Sequence, residues 1–377
     1  MENLSSHRLC VAPMMEWTDR HCRYFLRLLA PRARLYTEMV VAAAIVHGDR
    51  DRFLAYDASE HPLALQLGGS DPDQLALAAR IARETYGYDE INLNVGCPSD
   101  RVQSGRFGAC LMREPELVAR CVAAMAEVVD VPVTVKTRLG VDDDDSYEFL
   151  CALIEAVREV GCRTLILHAR KALLSGLSPK QNREIPPLDY DRVERVKADY
   201  PQLQVVVNGG IATAEQAVEL LAGRIDGVMI GRMAYHDPWR FAGLEGALLA
   251  SEVPQDRARV VTLFEPYLRQ QHARGVPLKV MTRHLCGLFS GCYGARRWRR
   301  AMSDPAVIRE HGLEILRPTL AALQRNEFPK ELDLPVVRAD GRPLTLAVTT
   351  APVVPEGEMD ADNPYEPSII LSFRDVT

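Results

Sequence analysis

The chain has 377 residues, of which 47% are hydrophobic and 25% charged, and 45 basic against 51 acidic residues give a formal net charge of −6. These values are ordinary for a globular protein and exclude disordered, fibrous and membrane-spanning classes. No window approaches the roughly 20 apolar residues that a bilayer crossing needs, and the opening MENLSSHRL lacks the apolar segment of a secretory signal. We therefore expect a cytoplasmic protein. Its nine cysteines include no Cys-x-x-Cys pair, which predicts reduced thiols and no metal site.

Eight short apolar runs, each followed by a stretch with helical periodicity, occupy the first 240 residues. In chain order they are LCVAPM, RLYTEM, LALQLG, EINLNVG, PVTVKT, TLILHA, QVVVNGG and DGVMIG. Apolar strands that alternate with amphipathic helices indicate a parallel sheet covered by helices, and eight such units match a closed (β/α)8 TIM barrel. An open doubly wound sheet is the alternative, although no G-x-G-x-x-G follows the first strand.

Two helices of this region carry start signals. A helix over 73–86 follows the Asp71-Pro72 pair, and a helix over 146–160 opens at Ser146 after four consecutive aspartates. Side chains of this type cap the first turn of a helix, and acidic residues there favour its dipole.

The pattern changes beyond residue 240. Helical segments then follow one another without intervening strands, over 241–252, 256–273, 277–290, 293–302 and 304–326. The remainder contains three β-like runs, PVVRA, PLTLAVT and SIILSF, and is either a small hairpin addition or a partly ordered acidic tail. We expect a barrel domain over 1–240, an all-helical domain over 241–330 and a short acidic extension over 331–377.

Charge is distributed unevenly over these parts. Residues 331–377 hold nine acidic and three basic residues, so they carry the whole net charge of −6 and leave the first 330 residues neutral. Within that neutral body, residues 163–183 contain five bases and residues 279–300 contain six, with no acidic residue in either stretch. One such run is usually a solvated helix face, but two of them favour a surface that binds a polyanion.

Polar or glycine-rich groups stand at the end of nearly every predicted strand. In a barrel the carboxyl ends of the strands form the face where chemistry takes place. The residues at these ends are Pro13, Met14, Met15, Glu38, Gln66, Asn94, Lys136, His168, Asn208, Gly209, Gly210, Gly231 and Arg232.

The last two strand ends have the composition of a phosphate site. Glycines at Gly209, Gly210 and Gly231 let a phosphate approach backbone amides, and Arg232 can bind its oxygens. If the phosphate belongs to flavin mononucleotide (FMN), Lys136 and His168 would stabilise negative charge on the reduced ring. The alternative is a sugar phosphate, with Lys136 as a Schiff-base lysine.

Three further groups have roles in the FMN interpretation. Gln66 would offer its amide to the pyrimidine edge of the ring, and the backbone of Pro13 to Met15 would flank it. After the fourth strand, Cys97 lies on a glycine-rich loop at the same face. A thiol that is largely protonated at neutral pH can donate a proton there.

Several motifs closely resemble the tRNA-dihydrouridine synthases. They are APMMEWTDR at 12–20, LNVGCPS at 93–99, HAR at 168–170 and NGGI at 208–211, and GLSPKQNREIPPL at 176–188 is similar to the A subfamily, which acts on D-loop uridines 20 and 20a. The resemblance covers about residues 7–326. It implies an FMN-binding barrel, a helical domain that helps to hold tRNA, and NADPH as the electron source.

The resemblance also implies roles for individual residues. FMN would be bound by Pro13, Met14, Met15, Gln66, Lys136, His168, Asn208, Gly209, Gly210, Gly231 and Arg232. Cys97 would protonate C5 of uridine while the hydride goes to C6. The tRNA would be contacted by Asn94, Lys180, Arg183, Arg296 and Arg299, and the last four lie in the two acid-free stretches. We expect a monomer.

Two rival functions remain at this stage. A flavin barrel that reduces a small free pyrimidine or enone explains the phosphate site, but it leaves the basic runs without a purpose. A flavin-free RNA-binding protein explains those runs, but it leaves Lys136, His168 and Arg232 unexplained. Bound flavin would exclude the second rival, and equal activity on free uridine and on tRNA would favour the first.

Overall fold

The computed structural model describes residues 7–325, 330–337, 343–352 and 369–375. Eight parallel strands form one sheet in the order β1-β8-β7-β6-β5-β4-β3-β2. Their bounds are β1 Leu9–Val11, β2 Leu35–Val41, β3 Leu63–Gly68, β4 Glu90–Val95, β5 Val133–Arg138, β6 Thr164–His168, β7 Gln204–Asn208 and β8 Gly227–Ile230. Arg34 joins the two edges, because its carbonyl accepts from Val11 N at 2.9 Å and its amide donates to Leu9 O at 3.0 Å. The predicted eight-stranded barrel is confirmed.

Alternation along each strand separates an inner and an outer layer of side chains. On β4, Ile91, Leu93 and Val95 are fully buried in the apolar layer between the sheet and its helices. The intervening Glu90, Asn92 and Asn94 therefore face the inside of the barrel. A second apolar cluster fills the rest of the interior and comprises Cys10, Ala12, Tyr36, Ala64, Ile166, Val206 and Met229. Below the strand ends, the interior is thus mostly apolar towards β1 and β6 to β8, and mostly polar towards β4 and β5.

Helices cover the outside of the barrel. They are α1 Arg20–Leu29, α2 Ala42–His47, α3 Arg50–Leu54, α4 Pro72–Ile81, α5 Asp100–Ser104, α6 Pro115–Ala126, α7 Tyr147–Glu159, α8 Tyr190–Asp199, α9 Ala214–Ala222, α10 Arg232–His236 and α11 Pro238–Leu249. The start signals act as predicted: Asp71 accepts from Asp73 N at 3.0 Å, and Ser146 accepts from Phe149 N at 3.1 Å.

The helices after the barrel are shorter than the sequence pattern predicts. They are α12 Arg257–Ala273, α13 Leu278–Thr282, α14 Ala295–Ser303, α15 Pro305–His311 and α16 Leu316–Gln324. The predicted helix over 304–326 is interrupted at Gly312, whose φ is +56°. A backbone in the left-handed region cannot continue a right-handed helix. The predicted helix over 277–290 ends early, at Thr282, and tightens into a 3-10 turn over Arg283–Gly287.

Beyond the helices, three strands form an antiparallel sheet in the order β11-β10-β9. They are β9 Lys330–Val337, β10 Pro343–Pro352 and β11 Ile369–Asp375, so these residues follow the hairpin alternative for the extension. The chain divides into two compact units, residues 1–264 and 265–377. The sequence pattern predicts a domain boundary near residue 240, whereas the compact units divide after residue 264. The predicted domain organisation stays a prediction. No helix of the described residues is both long and apolar enough to cross a bilayer.

Candidate active site

Basic and polar side chains collect at the carboxyl ends of three neighbouring strands. Arg138, the last residue of β5, pairs in register with His168 at the end of β6, and His168 pairs with Asn208 at the end of β7. Lys136 lies two residues before Arg138, so both side chains face inward. The side-chain amide of Asn208 donates to Met229 O at 2.8 Å, which ties β7 to β8 at this end.

The glycines after β7 and β8 form an open backbone cradle. Gly209 and Gly210 have φ of +105° and +71°, and a Cβ on Gly209 would come within 2.5 Å of the His168 ring. Gly231 precedes α10, and a Cβ there would meet Met14 Sδ only at 3.7 Å. Among the described residues, the amides of these three glycines donate to no protein acceptor. Free amides beside a helix start suit an anion.

The basic side chains at this mouth lower one another's pKa values. Burial and the nearby Arg138 and Arg183 lower the pKa of Lys136 to about 7. Burial, together with Arg183 and Arg170, lowers the pKa of Arg138 to about 9. Burial, Arg138 and Lys136 also hold the pKa of His168 well below its ordinary range. A bound anion would offset the repulsion between these positive charges, so the charge at the mouth favours anion binding.

Arg232 and Arg183 lie at the edge of this cluster. Arg232 forms a 2.6 Å ion pair with Glu184, and its second nitrogen donates to Arg183 O at 3.4 Å. Arg183 is close enough to Lys136 and His168 to lower the pKa of both. Arg232, which is predicted to bind the phosphate, and Arg183, which is predicted to contact tRNA, are therefore neighbours. Lys180 precedes them on the same loop with an exposed side chain.

Cys97 lies on the loop after β4, held by Asn94. The side-chain oxygen of Asn94 accepts from Gly96 N at 3.2 Å and from Cys97 N at 3.0 Å. The Cys97 thiol lies 3.5 Å from Ser99 Oγ, and the Cys97 carbonyl accepts from Ala109 N at 2.9 Å. The half-buried thiol is therefore held in place from both sides.

Gln66 and the segment from Pro13 to Met15 also lie at or near this end of the barrel. Gln66 is 1% exposed, and its amide donates to Asn92 at 2.7 Å and accepts from Asn94 at 2.8 Å. The Met14 carbonyl accepts from Trp17 N at 3.0 Å and Thr18 N at 2.9 Å, which forms a turn after β1. Met15 is 57% exposed at that turn.

The two predicted tRNA contacts of the second unit lie on α14. Arg296 and Arg299 are exposed, as are Arg297 and Arg300, whereas Trp298 is fully buried and donates to Leu285 O at 2.7 Å. The buried indole fixes the rotation of the helix, so the arginines face outward. This helix is a candidate RNA-binding surface of its unit.

Three residues at the site have no role predicted from the sequence: Arg138, Arg170 and Ser99. Strand alternation is a signal for Arg138, because residues two apart on a strand face the same side and Lys136 is a predicted site residue. Arg170 donates to Glu184 O at 3.3 Å and so binds the loop that carries Arg183. No spacing rule would have shown that Ser99 lies beside the Cys97 thiol.

The residues at the mouth fit a flavin mononucleotide. The free amides of Gly209, Gly210 and Gly231 suit its phosphate, and Lys136 with His168 suits a ring that gains negative charge on reduction. Within the described residues, no group of three or more His, Cys, Asp or Glu side chains is arranged to hold a metal ion.

Comparison with known proteins agrees over most of the chain. A sequence model described as dihydrouridine synthase (Dus) matches residues 10–325. A Vibrio vulnificus protein named tRNA-dihydrouridine(20/20a) synthase is 56% identical over 331 residues, which are 87% of this chain and 99% of that protein. A Xanthomonas campestris protein of the same name is 58% identical over 311 residues, 82% of this chain and 92% of that protein.

Solved structures of old yellow enzymes are more distant. The homologue from Zymomonas mobilis has a TM-score of 0.46 at 12% identity and covers 66% of this chain and 90% of its own. The enzyme from Trypanosoma cruzi has a TM-score of 0.45 at 11% identity, with coverage of 67% and 91%. At this level the likeness says nothing of function. The family match and the close relatives establish that the chain belongs to the dihydrouridine synthase family.

Proposed function

We propose that this protein reduces the C5–C6 double bond of uridine to dihydrouridine in the D-loop of tRNA, at positions 20 and 20a, with FMN bound at the barrel mouth and NADPH as the reductant. Relatives more than half identical to the chain bear the name tRNA-dihydrouridine(20/20a) synthase. The observation that carries the proposal is the placement of Cys97 on a loop fixed by Asn94, at the same strand ends as the glycine cradle and Lys136.

The chemistry divides between the cofactor and the chain. FMN, when bound, supplies the hydride chemistry that reduction of the uracil ring requires. The Cys97 Sγ–H donates a proton at uracil C5, and the Asn94 contacts to the Gly96 and Cys97 amides hold that thiol in position. Lys136 and Arg138 would stabilise the negative charge that the flavin ring acquires on reduction.

The basic side chains bind the RNA. The uracil must leave its stacked neighbours, at a cost of a few kcal/mol, and phosphate contacts offset that cost. We assign these contacts to Lys180 and Arg183 on the barrel and to Arg296 and Arg299 on α14. We also assign to Asn94 a contact with the uracil edge, because it lies beside Cys97 on the same loop connection.

Three finer features belong to the same proposal. NADPH is the electron donor, the enzyme works as a monomer, and it works in the cytoplasm. The last of these agrees with the chemistry of the chain, because all nine cysteines are free thiols.

Replacement of the proton donor tests the proposal. The Cys97→Ala variant should keep its flavin absorbance and its tRNA affinity but form dihydrouridine at least about a hundredfold more slowly, because general acid catalysis contributes about that factor or more. Dihydrouridine in tRNA is measured by mass spectrometry. Cys110→Ala is the matched control, since Cys110 is a half-buried thiol of the same loop region that donates to Phe107 O.

Three outcomes would contradict the proposal. A normal yield of dihydrouridine from Cys97→Ala would remove this thiol as the acid. Equal activity on free uridine and on tRNA would assign the reaction to a small-molecule reductase. Purified protein that carries no flavin absorbance would contradict the redox function itself.

A further inference from the structure

A continuous chain of hydrogen bonds crosses the polar half of the barrel interior. It begins at Glu90, whose Oε1 accepts from Thr134 Oγ1 at 2.6 Å, and Thr134 Oγ1 in turn accepts from Asn92 Nδ2 at 2.8 Å. Asn92 Oδ1 accepts from Gln66 Nε2 at 2.7 Å, and Gln66 Oε1 accepts from Asn94 Nδ2 at 2.8 Å. The chain ends where Asn94 Oδ1 accepts from the Gly96 and Cys97 amides. We call it the interior polar chain.

Every bond in the interior polar chain points the same way. Each side chain donates towards Glu90 and accepts from the side of Cys97. Both ends dictate this direction, because an ionised carboxylate can only accept and a backbone amide can only donate. The three amides between them therefore have one orientation each. Reversal of any amide would set two acceptors or two donors against each other inside the barrel.

The Glu90 end is itself firmly held. Glu90 is fully buried, and its second oxygen lies 2.6 Å from His7 Nε2 and 3.2 Å from Arg34 Nη1. The Tyr36 hydroxyl donates to Oε1 at 2.7 Å. Burial opposes ionisation, but His7 and Arg34 outweigh it and hold the pKa of Glu90 below its ordinary value. The acceptor that sets the direction is therefore present throughout the neutral range.

Folding alone gives no reason for such an arrangement. The other half of the interior is filled by apolar residues such as Ile166, Val206 and Met229. Buried polar groups contribute little net stability, and apolar residues of similar volume often replace them without loss. What the interior polar chain provides instead is a single orientation for Asn94, the residue that contacts the Cys97 loop.

We propose that Glu90, Thr134 and Asn92 are positioning residues for Cys97, because the interior polar chain holds Asn94 with its oxygen towards the Gly96 and Cys97 amides. The inference rests on the proposed role of Cys97 as the proton donor. None of the three touches the mouth itself, since all are fully buried within the barrel. Their effect on the Cys97 loop is exerted through Gln66 and Asn94, which continue the interior polar chain towards the mouth.

The variant Thr134→Val tests the inference because it removes one hydroxyl and keeps the side-chain shape. Loss of that hydroxyl should speed deuterium exchange at the Gly96 and Cys97 amides by roughly three- to tenfold, the range expected for one hydrogen bond. Reduction of tRNA by the pre-reduced enzyme should slow by a similar factor.

Two variants serve as controls. Thr134→Ser keeps the hydroxyl and should restore wild-type exchange at both amides. Thr164→Val removes a buried hydroxyl from the neighbouring strand, where it donates to Gln204 at 3.0 Å outside the interior polar chain, and should leave both amides unchanged. If Thr134→Val does not fold, Asn92→Leu is used in its place. It interrupts the interior polar chain at the next residue towards Cys97, with a side chain of similar volume.

The exchange measurement separates this inference from the proposed function. Wild-type exchange at Gly96 and Cys97 in a folded Thr134→Val or Asn92→Leu protein would overturn the interior polar chain and leave the function standing. Faster exchange, together with a fully active Cys97→Ala protein, would support the coupling to Asn94 and overturn the role of the thiol. Faster exchange in Thr164→Val as well would show general loosening of the barrel and overturn the inference.

Discussion

Lys136 is a positive group placed among other positive groups. Among the described residues it has no carboxylate partner, and Arg138 and Arg183 act with burial to lower its pKa to about 7. Such a site is unfavourable in the protein alone and becomes favourable when an anion enters. The lowered pKa of Lys136 therefore indicates a site where a negatively charged ligand would bind favourably.

This lowered pKa makes stability depend on pH in a defined direction. An unfolded lysine keeps its proton up to a pKa of about 10.4. Between pH 7 and that value the unfolded chain binds more protons than the folded one, so the free energy of unfolding rises with pH. In flavin-free protein, the wild type should gain on Lys136→Met by roughly 1 kcal/mol per pH unit between pH 7 and 9.

Urea unfolding at several pH values measures this gain. Lys180→Met is the control, since Lys180 is an exposed lysine on the loop after β6, and its curve should run parallel to that of the wild type. Parallel curves for Lys136→Met and the wild type would mean that the folded protein keeps Lys136 fully charged.

At the scale of the element, α14 combines two opposite demands. The Trp298 side chain is buried and donates a hydrogen bond to Leu285 O. The two arginines before it and the two after it are exposed. The apolar anchor holds the helix in its own unit, and the arginines face solvent. A helix of nine residues with such a division suits contact with a phosphate backbone.

Removal of two of these arginines should weaken tRNA binding in a salt-dependent way. We expect the variant with Arg296→Ala and Arg299→Ala to bind tRNA less tightly and to lose about 1.5 from the slope of log K against log salt, because each lost phosphate contact changes it by about 0.7 to 0.9. The slope is measured by titration at several salt concentrations.

A second double variant controls for the change in net charge. Arg80→Ala with Arg120→Ala removes the same charge from exposed positions on α4 and α6, the outer helices of the barrel. It should leave the slope close to that of the wild type. An equal loss of slope in both double variants would assign the salt effect to net charge rather than to α14.

At the scale of the whole molecule, charge is separated along the chain. Residues 331–377 carry the entire net charge of −6, and the family match ends at residue 325. Carboxylates near an RNA backbone repel it. We therefore expect the extension to be dispensable for the reaction and unfavourable for tRNA binding.

Deletion of residues 331–377 tests this interpretation. The shortened protein should form dihydrouridine at the wild-type rate and bind tRNA more tightly at low salt, with the difference vanishing at high salt because ions screen the repulsion. A full-length variant with the nine acidic residues of the extension replaced by their amides separates charge from bulk. Loss of flavin or of activity on deletion would show that the extension belongs to the working enzyme.

Features with a local cause were predictable from the sequence. Strand periodicity and helix caps such as Asp71 and Ser146 depend on neighbours along the chain, and all eight strands form where predicted. The gathering of Lys136, His168 and Asn208 at one face was predictable too, because parallel strands end at the same edge. The prediction of one helix over 304–326 was wrong because hydrophobic periodicity does not reveal the positive φ at Gly312, which interrupts the helix.

Periodicity and composition along the chain are sufficient to predict the barrel, the polar residues at its mouth and the acidity of the C-terminal end. They do not show which of these residues contact one another in the folded protein. Arg232 pairs with Glu184, 48 positions away, and Gln66 lies between Asn92 and Asn94, which belong to another strand. Such pairings depend on how closure of the barrel staggers neighbouring strands, and no pattern along a single strand contains that information.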